Sequence, residues 1–327
     1  MTAEAPPSAK PNWRARLWFV AKIAFSVGTL VFVLSFVSPA KLVELFANFK
    51  WLPALLALAI FSAVQVVAAY RTTQVVAALG GHLPLRRSWD LNYVSLWLSQ
   101  ALPSSVGGDV AKGVYLLGQF GARRAAHIVL LDRLTGIAAM LAVIAAFLPG
   151  YTAYFQNANY WQFAATILVV LFTPIIATLM IASLNPEKLP APLRPVQAFA
   201  KNATALLRWP FVFSISWTAL VIHINGVLAY FLLGQALGIE APFAAFWLLV
   251  PLIYIAALFP LALAGWGIRE ASAIWLLSLA GVPEEKALAL SVAYGLFMIV
   301  VALPGCLLLG SVKVRPSAPI AASNSEG

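Results

Sequence analysis

Six charged side chains interrupt apolar stretches of a 327-residue chain in which 62% of residues are hydrophobic and only 10% are charged. They are Asp109, Lys112, Asp132, Arg133, Arg269 and Glu270. An ionised side chain deep in a bilayer costs about 2.5–3.5 kcal/mol on insertion scales, before pairing or snorkelling reduces that cost. Six such residues together indicate a binding function, and a guanidinium group can hold two oxygens of a phosphate at once.

The spacing of these charges predicts how they pair. Neighbouring residues on a helix project about 100° apart, so Asp132 is not expected to neutralise Arg133, nor Arg269 to neutralise Glu270. We therefore expect Asp132 to meet Arg269 and Glu270 to meet Arg133 in one cluster, with donors left for an anionic ligand. A purely structural cluster is the alternative. Asp109 and Lys112, three residues apart, could also pair with each other.

Glycines and a polar pair accompany the charges. Gly107 and Gly108 precede Asp109, and Gly265 and Gly267 precede Arg269. These glycines are candidate hinges or backbone donors at helix N-termini. The other polar positions are His223 and Asn225, which lie mid-way along an apolar run. They could relay a proton or contact substrate, or simply bond to a neighbouring helix.

Several classes of chemistry are not expected. The chain has one cysteine and three scattered histidines, which give neither a disulfide nor a metal-ligand spacing. No G-x-x-x-x-G-K-[ST] motif occurs in the sequence. We therefore expect no enzyme activity, no cofactor, no metal site and no direct use of ATP.

The elements that carry these residues are predicted to be membrane helices. The composition excludes an ordinary soluble domain and a disordered chain. A span needs about 20 apolar residues, and six runs qualify: 17–37, 51–70, 125–148, 161–182, 209–234 and 287–310. The first run could instead be a signal peptide, but its length favours a retained helix. We expect disordered tails at 1–16 and 312–327 around a single transmembrane domain at 17–311.

The net charge of +10 indicates orientation. Most of the 21 lysines and arginines fall in the N-terminal segment, in the C-terminal tail and in the predicted loops at 71–87, 119–124 and 183–208. They form no contiguous basic stripe, so no nucleic-acid partner is expected. By the positive-inside rule these segments, and both termini, are predicted to be cytoplasmic.

Two further apolar stretches are broken where a span should continue. One runs from 88 to 118 with a break at 103–109, and the other from 242 to 280 with a break at 265–270. They predict two re-entrant helical hairpins that enter from opposite faces; alternatively, 242–262 crosses fully and 268–281 returns. Both regions share an order of proline, glycines, charge and short helix. This order favours an inverted repeat of the kind found in secondary transporters, although membrane turns rich in Gly and Pro can also look alike by chance.

The motifs together resemble the flippase-like membrane domain of the lysylphosphatidylglycerol synthase/flippase family. The resemblance rests on Leu102-Pro-Ser-Ser-Val-Gly-Gly-Asp-Val-Ala-Lys112, Arg123-Arg-Ala-Ala-His-Ile-Val-Leu-Leu-Asp-Arg133, Gly265-Trp-Gly-Ile-Arg-Glu270 and Leu303-Pro-Gly305. It implies movement of a polar-headed lipid between leaflets of a bacterial inner membrane. Asp109, Asp132, Arg133, Arg269 and Glu270 would then line the headgroup path.

The sequence departs from the bifunctional members of that family, which add an aminoacyl-transferase domain after the membrane part. A chain without that domain is not expected to make an aminoacylated lipid itself, so the headgroup could belong to a phospholipid, a hopanoid or a glycolipid. Alternatives to a lipid translocator are a proton-coupled transporter of a small anion and a membrane partner of a lipid-modifying enzyme. The sequence leaves the oligomeric state open.

Overall fold

The computed structural model describes residues 47–101, 107–154, 158–258 and 266–310. These ranges contain α1 (Trp51–Ala78), α2 (Leu85–Ala101), α3 (Gly107–Ala146), α4 (Ala158–Ser183), α5 (Arg194–Ala205), α6 (Phe211–Ala236), α7 (Phe243–Ala257), α8 (Ile268–Ser278) and α9 (Glu284–Leu308). Short 3₁₀ helices lie at Leu148–Ala153, Pro186–Lys188 and Ala191–Leu193. The described ranges contain no β-strand, which confirms the all-α prediction.

Five of the described helices are long and apolar enough to cross a membrane. They are α1, α3, α4 from Tyr160 onward, α6 and α9. They coincide with five of the six predicted runs; the sixth, at 17–37, lies outside the described residues, as do both predicted tails. Large apolar side chains cover the outside of the bundle, with Leu52 72% and Met180 64% exposed. Such a surface suits a lipid solvent, and the protein is a multi-pass membrane protein.

Helix α3 is bent into two limbs at Gly121. This residue has φ 72° and ψ 164°, a conformation that glycine adopts readily because it lacks a Cβ. The first limb covers 107–120 and the second covers 122–146. The sequence predicts these limbs as a short broken segment and a separate span. The structure places them side by side because one glycine reverses the chain between them.

Two pairs of shorter helical segments occupy the positions of the predicted hairpins. In the first pair α2 contacts α3, and in the second α7 contacts α8. At 1.5 Å per residue, α7 and α8 extend roughly 22 Å and 17 Å, short of a ~30 Å hydrocarbon core. The turns themselves, at 102–106 and 259–265, lie outside the described residues.

The helices pack around two apolar clusters. The larger draws on α1, α6, α7, α8 and α9 and buries Tyr230 and Phe246 completely. The smaller draws mainly on α1, α2 and α3, with Leu116 and Ile128 fully buried. Helix α9 also lies against α2, where Gly305 approaches the Tyr93 carbonyl so closely that a Cβ would overlap it. These contacts fix α1, α2 and α3 relative to one another.

Candidate functional site

A buried carboxylate on the second limb of α3 organises the charged residues. Asp132 accepts a hydrogen bond at Oδ1 from Arg71 Nε at 2.9 Å and another at Oδ2 from Lys112 Nζ at 2.7 Å. The side chains of Lys112 and Asp132 are only 4% and 9% exposed. Two cations thus share one carboxylate, so this cluster carries a net positive charge.

Lys112 joins three helices. Its ammonium donates to Asp132, to Thr72 Oγ1 at 2.8 Å and to Asn92 Oδ1 at 3.1 Å. An ammonium group has three donors, so these three acceptors hold it in one position. Lys112 lies on the first limb of α3 and Asp132 on the second, and the bend at Gly121 is what allows the two side chains to meet.

A second ion pair also joins the two limbs. Arg133 Nη1 donates to Asp109 Oδ2, and these side chains are 25% and 29% exposed. Asp109 stands in the first turn of α3, where a carboxylate is favoured by the helix dipole. This pair is therefore more accessible than the one formed by Lys112 and Asp132.

Both pairs lie on the wall of one cavity of about 450 Å³. The polar residues described on this wall are Gln65, Arg71, Asn92, Ser95, Asp109, Lys112, Asp132, Arg133, His223, Tyr254 and Tyr294. Among them are three basic side chains and two carboxylates. Because charges interact strongly among apolar helices, this excess of positive charge favours an anionic ligand.

Arg269 and Glu270 form a separate buried cluster. Arg269 Nη2 donates to Glu270 Oε1 at 2.6 Å, and the Ser291 hydroxyl donates to the same oxygen at 3.1 Å. The side chains are 6% and 0% exposed, and the Arg269 guanidinium lies 4.6 Å from the Trp266 ring centroid. As far as the described residues define the cavity wall, neither Arg269 nor Glu270 lies on it.

The predicted pairing of charges is therefore wrong. Arg269 neutralises its neighbour Glu270 instead of Asp132, and Arg133 bonds to Asp109 instead of Glu270. The 100° projection fixes where a side chain starts, but the arginine side chain is long and flexible enough to fold back onto the next residue. The predicted pairing of Asp109 with Lys112 is also replaced, since each bonds across to the second limb.

The candidate hinge glycines have different roles. Gly107 and Gly108 belong to the first turn of α3, and a Cβ on Gly108 would overlap the Ser95 carbonyl oxygen on α2. Gly267, with φ 92°, donates its N–H to Glu270 Oε2 at 2.6 Å, so this donor is occupied within the protein. Gly265 lies outside the described residues.

The two polar residues predicted on α6, His223 and Asn225, have different hydrogen-bond partners. His223 lies on the cavity wall, and its Nε2 donates to the Gly136 carbonyl on α3 at 2.8 Å. Asn225 donates to Val221 O of its own helix at 2.8 Å. In the described ranges, no group of three His, Cys, Asp or Glu side chains could hold a metal ion.

Sequence reasoning missed Arg71 as a site residue. The second predicted run stops at residue 70 and leaves Arg71 in a predicted cytoplasmic loop, whereas α1 continues to Ala78. The sequence does contain a signal that the helix continues past Arg71, because the apolar pattern resumes after it at Val75, Val76, Ala77 and Ala78. Thr72, Asn92, Tyr254 and Tyr294 were also missed, and nothing in the sequence distinguishes them from other polar residues in membrane helices.

Comparison with known families accounts for most of the chain. Residues 19–305 match the family described as the lysylphosphatidylglycerol synthase TM region. The chain belongs to this family. The match confirms the resemblance drawn from the sequence motifs, and every described residue of the cavity wall lies within the matched range. A search of curated proteins found no match to this chain.

Proposed function

We propose that this member of the lysylphosphatidylglycerol synthase TM region family is a lipid translocator of the bacterial inner membrane. It moves a polar-headed lipid between leaflets and catalyses no chemical conversion. The observation that carries the proposal is the cavity in which Arg71, Lys112 and Arg133 converge among apolar helices. Membership of a family named for a lipid synthase supports a lipid as the ligand.

The cavity supplies what a charged headgroup lacks in a bilayer. The free-energy cost of burying an ionised group without partners is prohibitive. Hydrogen-bond donors inside the cavity lower this cost because they replace the water molecules that solvate the headgroup. Arg133 is the main contact in this proposal, because its side chain is 25% exposed and can exchange Asp109 for a phosphate oxygen. Lys112 already uses its three donors, so it contributes charge rather than direct contact.

The proposal includes two re-entrant hairpins related by an inverted repeat, with both termini cytoplasmic. The hairpins are formed by α2 with the first limb of α3 and by α7 with α8. Their support is the shortness of these helices, since α8 has 11 residues. Alternate opening of the hairpins would expose the cavity to each leaflet in turn.

Reconstitution tests the proposal directly. The purified protein is placed in vesicles of phosphatidylethanolamine and phosphatidylglycerol that contain phosphatidylglycerol with a fluorescent NBD group on one acyl chain. Dithionite bleaches only the outer leaflet, so transfer appears as a second bleaching phase. We expect the protein to accelerate this phase over empty vesicles. The measurement is repeated with NBD-labelled phosphatidylethanolamine as a zwitterionic probe. Equal rates with and without protein, for both probes, would reject the proposal.

A matched pair of variants tests the role of the cavity. Arg133→Gln removes the accessible guanidinium and should slow transfer. Lys201→Gln removes a cation from the exposed surface of α5 and should leave the rate unchanged. If the two variants behave alike, the cavity is not the route of transfer.

The position of His223 favours one further candidate, a proton-coupled transporter of a small anion. His223 lies on the same wall as Arg71 and Arg133, and an imidazole is a side chain that can accept and release a proton. Uptake of radioactive phosphate into vesicles under a pH gradient, without transfer of the NBD lipid, would favour this second function.

A further inference from the structure

A second cavity, an apolar groove, lies between the two limbs of α3. Its volume is about 360 Å³, and its walls include Val110, Val114 and Leu117 from the first limb and Ala126, Val129 and Leu130 from the second. Val110 is 61% exposed and Leu130 49% exposed, so the groove opens on the outside of the bundle. In a bilayer this opening faces hydrocarbon.

The groove ends at an ion pair. Asp109 and Arg133 belong to the wall of the groove and also to the wall of the polar cavity. They are therefore the boundary between an apolar space open to lipid and a charged space inside the bundle. Because Asp109 is on the first limb and Arg133 on the second, their bond also joins the limbs across the groove.

We propose that the groove binds an acyl chain of the translocated lipid and that the Asp109–Arg133 pair is the lateral gate through which its headgroup enters the cavity. The gate rests on the proposed function, whereas binding of an acyl chain does not require it.

The sequence of apolar and charged surfaces, followed from the outside of the bundle inward, indicates which ligand the groove binds. Aliphatic walls come first, a cation and a carboxylate follow, and the charged cavity lies behind them. A phospholipid has the same order of hydrocarbon chain and phosphate. A phosphate reaching Arg133 takes the place of the Asp109 carboxylate, since both present oxygens to the guanidinium. A soluble anion would have no contact with the aliphatic walls.

The bend of α3 lies next to open space. Gly121 is the single non-helical residue between them, and a Cβ built on it would meet no atom within 4 Å. Among the described residues, no packing therefore restrains this side of the bend.

Joining the limbs tests the gate. A Cβ at Gly113 would lie 3.8 Å from Val129 Cγ2 on the facing limb. In a Cys306→Ser background, Gly113→Cys and Val129→Cys are combined and joined with a short bis-methanethiosulfonate. Transfer of the NBD lipid should fall to the rate of empty vesicles and return after reduction with dithiothreitol. Each single-cysteine variant, treated with a monofunctional reagent, controls for bulk in the groove.

Photolabelling tests the acyl-chain site without measuring transfer. Phosphatidylglycerol with a diazirine in one acyl chain is added at increasing mole fraction, and labelled residues are found by mass spectrometry. Labelling of Val114 and Leu117 should saturate. Labelling of Val169 on α4, which is 60% exposed, should rise in proportion to the probe because that surface meets bulk lipid.

The outcomes separate the two proposals. Proportional labelling in the groove would overturn the acyl-chain site, and undiminished transfer by the joined protein would overturn the gate. Either result would leave the translocator standing. Saturable labelling in a protein that transfers no probe would overturn the proposed function and the gate while preserving the acyl-chain site.

Discussion

Asp132 is the residue on which the charged site depends most. It lies between Arg71 and Lys112, and Thr72 Oγ1 approaches its Oδ2 at 3.1 Å. The attraction between this buried carboxylate and its two cationic partners offsets part of the desolvation cost of all three charges. Removing it would leave two cations side by side with only neutral acceptors.

We therefore expect Asp132→Asn to destabilise the protein strongly. Breaking a buried ion pair by removing one partner typically costs about 3–5 kcal/mol. Chemical unfolding in detergent micelles, followed by tryptophan fluorescence, measures the change. Glu187→Gln, which neutralises an exposed carboxylate, is the matched control and should alter stability little. Equal midpoints for the two variants would contradict this account of Asp132.

Arg269 and Glu270 contribute to stability without belonging to the cavity wall described above, because they satisfy each other. Arg269→Met and Glu270→Gln should each lower the free energy of unfolding by about 3–5 kcal/mol, since each leaves one buried charge unpaired. The double variant should lose less than the sum of the two, because no charge remains buried. Additive losses in this double-mutant cycle would show that the two side chains act independently.

At the scale of the helices, a close contact with α2 positions the first limb of α3. The backbone of Gly108 lies so close to Ser95 O and Ser99 Oγ that a Cβ would overlap both atoms. The facing helix cannot retreat easily, because one of these atoms belongs to its backbone. Gly113, one and a half turns further along the same limb, has ordinary spacing to its neighbours.

These two glycines give a matched comparison. Gly108→Ala should destabilise the protein by about 1–3 kcal/mol, the usual range for overpacking. Gly113→Ala should leave stability unchanged or raise it by up to about 1 kcal/mol, because alanine is the better helix former. Thermal unfolding in detergent compares the variants. A tolerated alanine at residue 108 would mean that the helices are not held in this close contact.

At the scale of the whole molecule, α4 separates two loops that are predicted to lie on opposite sides of the membrane. Thr152 is exposed before α4 and Glu187 is exposed after it. The basic residues nearby, Arg194 and Lys201, follow Glu187, so the positive-inside rule assigns that loop to the cytoplasm.

Cysteine labelling tests this orientation. In a Cys306→Ser background, Thr152→Cys should react with a membrane-impermeant maleimide in intact spheroplasts. Glu187→Cys should react only after the membrane is permeabilised. Labelling of both cysteines from outside would mean that α4 does not cross, and the reverse pattern would invert the whole topology.

The sequence by itself determined the membrane class, five of the helices that the structure describes, and the family. Each follows from information local in the chain: about 20 apolar residues make a span, and the family motifs are short and contiguous. It also singled out Asp109, Lys112, Asp132 and Arg133, because a charge among apolar residues is visible without coordinates.

Only the tertiary structure decided which charge meets which. One partner of Asp132 is Arg71, 61 residues earlier in the chain, and no spacing rule connects positions on different helices. The sequence also does not show that Arg269 and Glu270 lie away from the cavity. Nor does it show that a groove exists between the limbs of α3. Both features arise from the reversal at Gly121 and from close helix contacts at Gly108 and Gly305, which set distances between residues far apart in sequence.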